Sequence, residues 1–490
     1  LLQKKESTHF NQVFQLLTGE GKSVVLGILS IVLAMQGYTV NCICYSEYLS
    51  KRDYESFLPI FHVFSVEDKI TYSTVNEMCE MIINRNGNIR QCTNNFLDGK
   101  NSINEKARKV PKSKCALLID EVDVFFSSIF YGETYNPTST LNNDLTRAVL
   151  KFIWHYKDAV NIDKVSKGCP EYTKLLEIYP EWKDLIKSEV MLMINDVKNH
   201  QENNPTVYND KVGYRRNGTV DCKLSFGYKT AFAYFSFHER KKISEKSLNE
   251  NIGLLVRCGK YSYAKIIDEF GLIMGLSGTL QSLTPTEKKI ICGFNIQRVA
   301  AAPSIYGTSQ LKYIPSQDTI ILLEKEWLTR VIQITQQNIN GGKAVIIFFE
   351  NTDIIKQFQN MIKDSISSVQ VLTEETVHKD NVIRKSTISG TVTLCSRVFN
   401  RGTDFICLDP KTECAGGVHV ISTFLPESQA ESVQMQGRTA RQGNPGTYAQ
   451  LLCKERLVET IDGFTIDEFE KQLEKGEHVK WIVQLRDKMY

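Results

Sequence analysis

The sequence predicts an α/β protein with two parallel-sheet domains and a mixed α+β insertion in the first of them. Three observations carry this prediction. Short apolar runs alternate with helical or loop segments in two separate parts of the chain, a glycine-containing turn joins one such run to an apolar helix, and another run ends in two carboxylates. Strands that are covered by helices on both faces read as continuous apolar runs, which is typical of parallel sheets.

The first series of elements lies near the N-terminus. A short apolar run at 13–17 leads into the turn, and residues 23–36 are apolar nearly all round, as expected of a helix buried against a sheet. Gly37 stands where that helix should end. The next strand is 39–44, and a further short strand, 115–120, ends in carboxylates.

A second series of strands occupies the later part of the chain. These predicted strands are 344–349, 369–373, 391–396, 418–422 and 447–453. Between the two series the chain is richer in Tyr, Trp, Lys and Asn, helical at first and hairpin-like around 208–224. This change in composition and predicted secondary structure indicates an insertion.

The predicted domain boundaries follow from these series. We expect the first domain in two parts at 1–128 and 260–305, the insertion at 129–259, the second domain at 306–460, and the helical start of a missing C-terminal region at 461–490. A chain of 490 residues can hold about two to four domains of ordinary size.

Composition and charge narrow the class of protein. With 59 basic and 56 acidic residues and a net charge of +3, the chain offers no electrostatic case for nucleic acid. The 13 cysteines are scattered without a Cys-x-x-Cys pair, so we predict neither a disulfide framework nor a zinc site. No signal peptide or membrane-length apolar run is visible and the chain does not begin with Met, so we interpret it as a fragment of a cytoplasmic protein.

The segment GEGKS has the composition of a phosphate-binding loop. It comprises Gly19, Glu20, Gly21, Lys22 and Ser23. Its small residues bring backbone N–H groups close to phosphate oxygens, its lysine supplies a point charge for the β- and γ-phosphates, and its serine supplies a hydroxyl for Mg²⁺. The strict pattern has glycine where this chain has Leu16, so the alternative is an ordinary turn ahead of a core helix.

Two further motifs extend the phosphate loop to a hydrolytic site. Asp120, at the end of a buried strand, suits Mg²⁺, and Glu121 suits the orientation or deprotonation of an attacking water. Arg438 and Arg441 lie three apart, on one face of a predicted helical turn, and their guanidinium groups suit a γ-phosphate. The alternatives are an acidic strand exit on a solvated loop and a basic turn.

Taken together, these motifs resemble the motor of SecA-type preprotein translocase ATPases, which belong to the wider DEAD-type helicase group. The segments that carry the resemblance, in the family's order, are SEYLSKRD (46–53), ITYSTVNE (70–77), IDEVD (119–123), MGLSGTL (274–280), NRGTDF (400–405), GGVHVIST (416–423) and GRTARQGNPG (437–446). The resemblance implies two RecA-like domains of the DEAD or superfamily 2 type, with ATP and Mg²⁺ bound between them.

The resemblance also implies a role for each matching residue. It assigns phosphate binding to Gly19, Glu20, Gly21, Lys22 and Ser23, Mg²⁺ binding to Ser23 and Asp120, and hydrolysis to Asp120 and Glu121. It assigns the coupling of hydrolysis to domain closure to Ser277, Gly278 and Thr279. From the second domain, Arg401 and Asp404 would contact the nucleotide, and Arg438 and Arg441 would close on the γ-phosphate. The chain departs from the family at Asn400, which replaces a glycine, and at Leu16 and Leu17 in the loop.

The insertion occupies the place of the preprotein cross-linking domain in SecA, although its sequence does not match closely. Its aromatic residues offer two interpretations, as grips for an extended peptide or as the core of this small domain. Among these aromatic residues are Trp154, Trp182, Tyr228, Phe232 and Tyr234. For any single aromatic residue the core is the better expectation.

Three functions compete at this stage. The resemblance favours an ATP-driven motor that moves unfolded polypeptide, located in the cytoplasm or peripherally at a membrane, and it leaves a membrane channel open as a partner. A nucleic-acid helicase of superfamily 2 is the second, but SEYLSKRD is not the strand-exit motif of that class and no basic stripe is visible. The third is a regulatory switch that binds ATP without turnover.

Overall fold

The computed structural model describes residues 11–44, 46–97, 99–100, 110–127, 131–216 and 219–489. The chain divides into two compact units. Unit 1 comprises Leu1–Thr74, Pro111–Tyr131 and Ile267–Tyr490, and unit 2 comprises Val75–Val110 and Gly132–Ile266.

The strands are β1 (Asn11–Gln15), β2 (Thr39–Ile43), β3 (Ile70–Ser73), β4 (Cys115–Asp120), β5 (Thr134–Tyr135), β6 (Thr138–Leu141), β7 (Thr206–Tyr208), β8 (Lys211–Arg216), β9 (Thr219–Asp221), β10 (Leu254–Arg257), β11 (Tyr261–Ser262), β12 (Leu272–Ser277), β13 (Ile296–Ala301), β14 (Gln310–Lys312), β15 (Thr319–Leu322), β16 (Val345–Phe349), β17 (Val369–Leu372), β18 (Val392–Ser396), β19 (Val418–Ser422) and β20 (Pro445–Cys453).

The helices are α1 (Lys22–Met35), α2 (Glu47–Val63), α3 (Val75–Ile83), α4 (Ile89–Leu97), α5 (Val122–Phe125), α6 (Asp144–His155), α7 (Ile162–Gly168), α8 (Pro170–Ile178), α9 (Lys183–Asp196), α10 (Tyr228–Glu239), α11 (Glu245–Asn251), α12 (Pro285–Gly293), α13 (Pro315–Asp318), α14 (Glu324–Asn340), α15 (Thr352–Ile362), α16 (Lys379–Lys385), α17 (Pro410–Cys414), α18 (Gln429–Gln436), α19 (Lys454–Thr460), α20 (Ile466–Glu474) and α21 (His478–Met489).

The first sheet of unit 1 has the strand order β13-β1-β12-β4-β2-β3 among the described residues, and each of its pairings is parallel. Its central strands are buried on both faces: Ala116, Leu117, Leu118 and Ile119 of β4 have no exposed surface. Helix α1 packs on this sheet through Leu26, Leu33 and Ala34. The predicted strand-helix-strand unit is therefore confirmed.

The second sheet of unit 1 has the order β14-β20-β19-β16-β18-β17, with β15 also paired to β20. Its pairings are parallel as well. Apolar side chains cover both faces of β16, whose five residues are all buried. The predicted fold class, two RecA-like parallel-sheet domains with a mixed α+β insertion in the first, is confirmed.

Unit 2 includes more of the chain than the insertion predicted at 129–259, because it also contains Val75–Val110 and extends to Ile266. Two features tie the early segment to it. Leu97 belongs to the apolar cluster of unit 2, and Arg90 donates a hydrogen bond from Nε to the Thr138 carbonyl at 3.0 Å. Neither feature is visible as a local pattern, since each depends on residues far apart in the chain.

The core of unit 2 is formed by its helices together with its aromatic residues. Trp154, Tyr228, Phe232 and Tyr234 are all buried in this cluster, and Trp182 packs against it half-buried. The core interpretation of these aromatic residues is the one that the structure supports. Strands β7, β8 and β9 form an antiparallel sheet where the hairpin was predicted.

The last helices of unit 1 form a cluster of their own. Leu457, Phe464, Phe469 and Ile482 pack together on Leu452 of β20. All 13 cysteines lie in the described part of the chain, and each is a free thiol. Among the described helices, none combines the length and the apolar character needed to cross a bilayer.

Candidate functional site

The candidate site lies at the carboxyl edge of the first sheet, where neighbouring strands end side by side. The loop after β1, the carboxylates after β4 and Ser277 at the end of β12 all meet there, because parallel pairing brings these strand ends together. The edge is extended by a backbone bond from the Leu16 N–H to the Ser277 carbonyl at 3.0 Å.

Two glycines shape the loop between β1 and α1. Gly19 has a φ of 87° and Gly21 a φ of 82°, a left-handed conformation that costs glycine little and other residues more. Gly21 is also the N-cap of α1, so the loop ends at the free N–H groups of a 14-residue helix. Such a turn-to-helix junction is a ready anion-binding concavity.

Lys22 is held by the carboxylate that follows β4. Its Nζ donates to Glu121 Oε1 at 2.9 Å, and both side chains are largely buried, with 12% and 4% exposed. The other oxygen, Glu121 Oε2, accepts from Gln434 Nε2 of α18 at 2.7 Å. Three motifs that are far apart in sequence therefore form one continuous chain of polar contacts.

Ser23 has a different partner, which the sequence analysis did not assign. Its Oγ donates to Asp53 Oδ2 at 3.0 Å, and Asp53 Oδ1 accepts from Arg52 Nε at 2.8 Å. Arg52 also donates from Nη1 to the Gly402 carbonyl of the second domain at 3.2 Å. The signal for Asp53 was present in the SEYLSKRD segment, but only as a family resemblance.

Asp120 is one of the polar groups of the site whose hydrogen bonding is incomplete. Its Oδ1 is buried and has no hydrogen-bond partner among the described residues. Burial, reinforced by the charge of Glu121, raises its pKa to about 7, against the opposing influence of Lys22. A carboxylate in this position is stabilised by a bound cation. The donor set of Asp120 and the Ser23 hydroxyl therefore fits Mg²⁺, which prefers oxygen ligands.

Asp123 links the two RecA-like domains. It accepts from Ser277 Oγ at 2.6 Å and from Arg401 Nη1 at 2.9 Å. Burial alone would raise the pKa of Asp123, but the Arg401 guanidinium and the Ser277 hydroxyl outweigh it and lower the pKa. The Thr279 N–H donates to Ser277 Oγ at 3.0 Å, and Gly278 lies so close that an added Cβ would be 3.4 Å from Lys22 Nζ.

The predicted helical turn at Arg438 and Arg441 is wrong. Helix α18 ends at Gln436, and Ala440 adopts a φ of 51°, which breaks any helical spacing between the two arginines. Both guanidinium groups still donate to the Thr403 carbonyl, but only that of Arg441 also lies against Gly19 of the phosphate loop.

Arg441 reaches the phosphate loop. A Cβ placed on Gly19 would lie 2.9 Å from Arg441 Nε, and that nitrogen is buried without a hydrogen-bond partner among the described residues. Its Nη1 pairs with Asp404 Oδ1 at 2.7 Å. Arg441 therefore brings one unsatisfied donor, its Nε, close to Gly19 of the loop.

Arg438 is instead enclosed within the second domain. It donates to the Gln434 carbonyl at 3.2 Å and to the Thr403 carbonyl. Burial, together with the charge of Arg441, lowers its pKa to about 9, which leaves the guanidinium charged at neutral pH. These two hydrogen bonds hold the backbone at Gln434 and Thr403 in place.

Asn400, where the sequence departs from the family, supports the same region. Its Nδ2 donates to Glu431 Oε1 at 2.6 Å, and Glu431 is also held by Arg397 through two bonds of 2.8 and 2.7 Å. Glu431 lies one turn before Gln434 in α18, so this buried cluster anchors the helix that reaches Glu121.

Comparison with known proteins agrees with this geometry. Residues 7–137 match the family model of the SecA DEAD-like domain. The protein translocase subunit SecA of Helicobacter acinonychis (strain Sheeba) is 23% identical over 508 residues, which cover 96% of this chain and 55% of that protein. The chain is therefore similar in sequence to SecA proteins, and the family model itself matches only residues 7–137.

Other SecA proteins match to the same extent. Protein translocase subunit SecA of Campylobacter jejuni (strain RM1221) is 23% identical over 505 residues, covering 96% of this chain and 57% of that protein. The chain thus spans about half the length of the curated SecA relatives that it matches.

Solved structures with a similar arrangement include DEAD-box helicases. Mss116 bound to ssRNA and UDP-BeF aligns with a TM-score of 0.45 and 11% identity, covering 96% of this chain and 70% of that chain. Dbp5 of S. cerevisiae bound to RNA and ADP BeF3 aligns with a TM-score of 0.40 and 10% identity, covering 97% and 89%.

The Arg401–Asp123 pair yields a test of the contact between the two domains. Its side chains are 13% and 3% exposed, and removal of one partner from a buried pair costs about 3 to 5 kcal/mol because the other charge is left unpaired. We expect Arg401→Met and Asp123→Asn each to destabilise unit 1 strongly, and the double variant to cost clearly less than the sum. Urea unfolding in a double-mutant cycle measures this coupling.

The exposed Lys356–Asp353 pair, with 68% and 90% of its side chains exposed, is the matched control. Its coupling should stay below about 0.5 kcal/mol because solvent screens both charges. Additive effects at Arg401 and Asp123 would show that the two residues do not depend on each other.

Proposed function

We propose that this chain binds ATP with Mg²⁺ between its two RecA-like domains and hydrolyses it to move unfolded polypeptide, as a SecA-type motor. One observation carries the proposal: Lys22 and Glu121 of the first domain are joined to Gln434 of the second at hydrogen-bond distance. A site shared in this way responds to any change at the phosphate by changing the contact between the domains.

The loop residues would hold the phosphates. The backbone of Gly19, Glu20 and Gly21 and the N-terminus of α1 present N–H groups, while Lys22 supplies a positive charge. In this arrangement Ser23 and Asp120 would hold Mg²⁺, which neutralises phosphate charge when it is bound. Asp53 would orient that serine, because its Oδ2 accepts a hydrogen bond from Ser23 Oγ at 3.0 Å.

Glu121 is the residue that we assign to the attacking water. Its φ of 60° turns the carboxylate back toward Lys22, and the pairs with Lys22 and Gln434 hold both oxygens in place. A carboxylate so oriented can accept a proton from water once the lysine has turned to a phosphate. Gln434, as the second partner, would position either the carboxylate or that water.

The second domain would sense the γ-phosphate through arginine. Arg441 already lies against Gly19 with a free Nε, so we assign it the contact with the transferring phosphoryl group. Arg401 and Asp404 would support it from the same domain, and Arg438 would fix the backbone behind it. Loss of the γ-phosphate would weaken these contacts, and the Ser277–Asp123–Arg401 chain would pass that change between the domains.

Unfolded polypeptide is the substrate that we propose for the motor. The relatives that align with 96% of this chain are named protein translocase subunits, and the net charge of +3 gives no electrostatic preference for nucleic acid. Unit 2, at the place of the preprotein cross-linking domain, is the part that we assign to polypeptide. Because the five aromatic residues named from the sequence lie in or against its core, other, exposed residues must make that contact.

The decisive experiment compares steady-state ATPase activity with Mg²⁺ alone, with an unfolded polypeptide and with RNA. We expect stimulation by the polypeptide and not by RNA, because a motor spends ATP on the substrate that it moves. Stimulation by RNA alone would assign the chain to the helicases. ATP binding without turnover in any condition would instead assign it to nucleotide-gated switches.

Two substitutions separate binding from hydrolysis. Lys22→Ala should abolish nucleotide binding, because it removes the charge that neutralises the phosphates. Glu121→Gln should bind ATP but lower kcat by about 100-fold or more, the usual effect of losing a general base. Equilibrium binding and turnover of ATP measure the two effects. Lys51→Ala, at a lysine with 68% of its side chain exposed, is the control and should change neither; wild-type turnover in Glu121→Gln would refute its role.

Gly19 and Gly37 provide a matched pair for the arginine contact. Both have a φ of 87°, so alanine costs each a similar backbone strain of about 1 kcal/mol. An added Cβ meets Arg441 at Gly19 and meets nothing within 4 Å at Gly37. We expect Gly19→Ala to weaken ATP binding by about tenfold or more, equivalent to 1.4 kcal/mol, and Gly37→Ala to leave it unchanged. Equal affinities would remove Arg441 from the nucleotide site.

A further inference from the structure

A thiol and two carboxylates meet beside the phosphate loop. The ligand atoms of Cys44, Asp53 and Asp120 all lie within 4.8 Å of one another. Strands β2 and β4 pair in parallel with Ile43 opposite Ile119, so the next residues, Cys44 and Asp120, lie side by side at the carboxyl edge of the sheet. Asp53 is added by α2, which packs against the same edge.

Cys44 and Asp53 are buried, Asp120 is half-buried, and the hydrogen bonding of the three side chains is incomplete. Cys44 is 2% exposed and Asp53 is 6% exposed. The Cys44 N–H donates a hydrogen bond to the Ser73 carbonyl, whereas Cys44 Sγ has no hydrogen-bond partner among the described residues. Asp53 is bonded by Ser23 and Arg52, and Asp120 Oδ1 has no partner in the described part of the chain.

We propose that Cys44, Asp53 and Asp120 form a binding site for a thiophilic divalent cation of the Zn²⁺ or Cd²⁺ class. Sulfur is the ligand that selects such ions over Mg²⁺, which takes oxygen ligands. Ligation exchanges the thiol proton for the metal: the S–H bond breaks, an S–metal bond forms, and one proton leaves to solvent. The thiolate and the two carboxylates together exceed the charge of the cation by one negative charge, which the Arg52 guanidinium on Asp53 offsets.

The spacing is compatible with direct ligation. Zinc ligands lie about 2.0 to 2.3 Å from the ion, so tetrahedral ligand atoms are separated by about 3.5 Å. Small side-chain rotations close the present separations, all within 4.8 Å, to that value. Asp53 Oδ2 would exchange its bond with Ser23 for the metal, while Arg52 retains Oδ1.

Cation binding by this cluster requires neither nucleotide nor hydrolysis. A protein that binds the cation but lacks ATPase activity would therefore support this site while the proposed function failed. Asp120 is common to both sites, so the thiophilic ion and Mg²⁺ cannot both use it at once.

Cobalt absorption is the direct test, because thiolate-bound Co²⁺ gives a sulfur-to-metal charge-transfer band in the near ultraviolet. The full chain is titrated with Co²⁺ without nucleotide, and Zn²⁺ is then added. We expect a saturable band that Zn²⁺ displaces. Absence of such a band from the wild-type protein would overturn the proposal.

Three variants assign the band to the cluster. Cys44→Ser, which is nearly isosteric, should lose it, while Cys395→Ala should keep it, since Cys395 is a fully buried thiol near the end of strand β18. Asp53→Asn should weaken Co²⁺ binding by about tenfold or more, the scale of loss of one ligand contact. A band that persists unchanged in Cys44→Ser would place the metal on another cysteine and overturn the assignment.

X-ray absorption of the Zn²⁺-loaded wild-type chain keeps the test independent of variant folding. One sulfur and two or more oxygen neighbours are expected around the bound zinc. A coordination sphere of oxygen and nitrogen alone would exclude Cys44 as a ligand, and one of several sulfurs would exclude this cluster.

Discussion

The ion pair between Lys22 and Glu121 is the interaction on which the candidate site depends. Both groups are largely buried, and an unpaired charge in that position would be costly. The pair holds the start of α1 against the end of β4, and Gln434 then extends it to α18 of the second domain. Arg401 and Asp123 repeat the same arrangement a few residues away. The two domains thus contact each other through buried charged and polar groups, and each of these groups would be unpaired without its partner.

Glu121 shows how firmly this arrangement is enforced. It is not a glycine, yet it adopts a φ of 60° and a ψ of 63°, a conformation that costs about 1 to 3 kcal/mol. Bonds to both carboxylate oxygens keep it there. Strain of this kind persists where the surroundings determine the conformation, and here it directs a potential base toward the phosphate loop. A freely rotating carboxylate after β4 would point to solvent.

The sequence was sufficient for the fold because each central strand is a continuous apolar run, and it located Lys22, Glu121 and Arg441 through local motifs. It was not sufficient for contacts between segments. Asp53, Gln434 and the Cys44 cluster depend on strand order and helix placement, which no local spacing reveals. The prediction of a helical turn at Arg438 was wrong because Ala440 has a left-handed backbone conformation, which is uncommon for alanine. Leu16 broke the strict loop pattern, yet Gly19 and Gly21 supply the required backbone.

Asp120 connects the proposed motor to the proposed metal cluster. A buried oxygen without a donor costs free energy, and the charge of Glu121 beside it adds to that cost. No side chain or backbone N–H among the described residues satisfies this oxygen, and its carboxylate lies near Asp53, which holds Ser23, and near Cys44. A cation relieves the cost from either side: a hard ion through the hydroxyl, a soft ion through the thiol. If both proposals hold, the identity of residue 44 decides which ions compete with Mg²⁺ for Asp120.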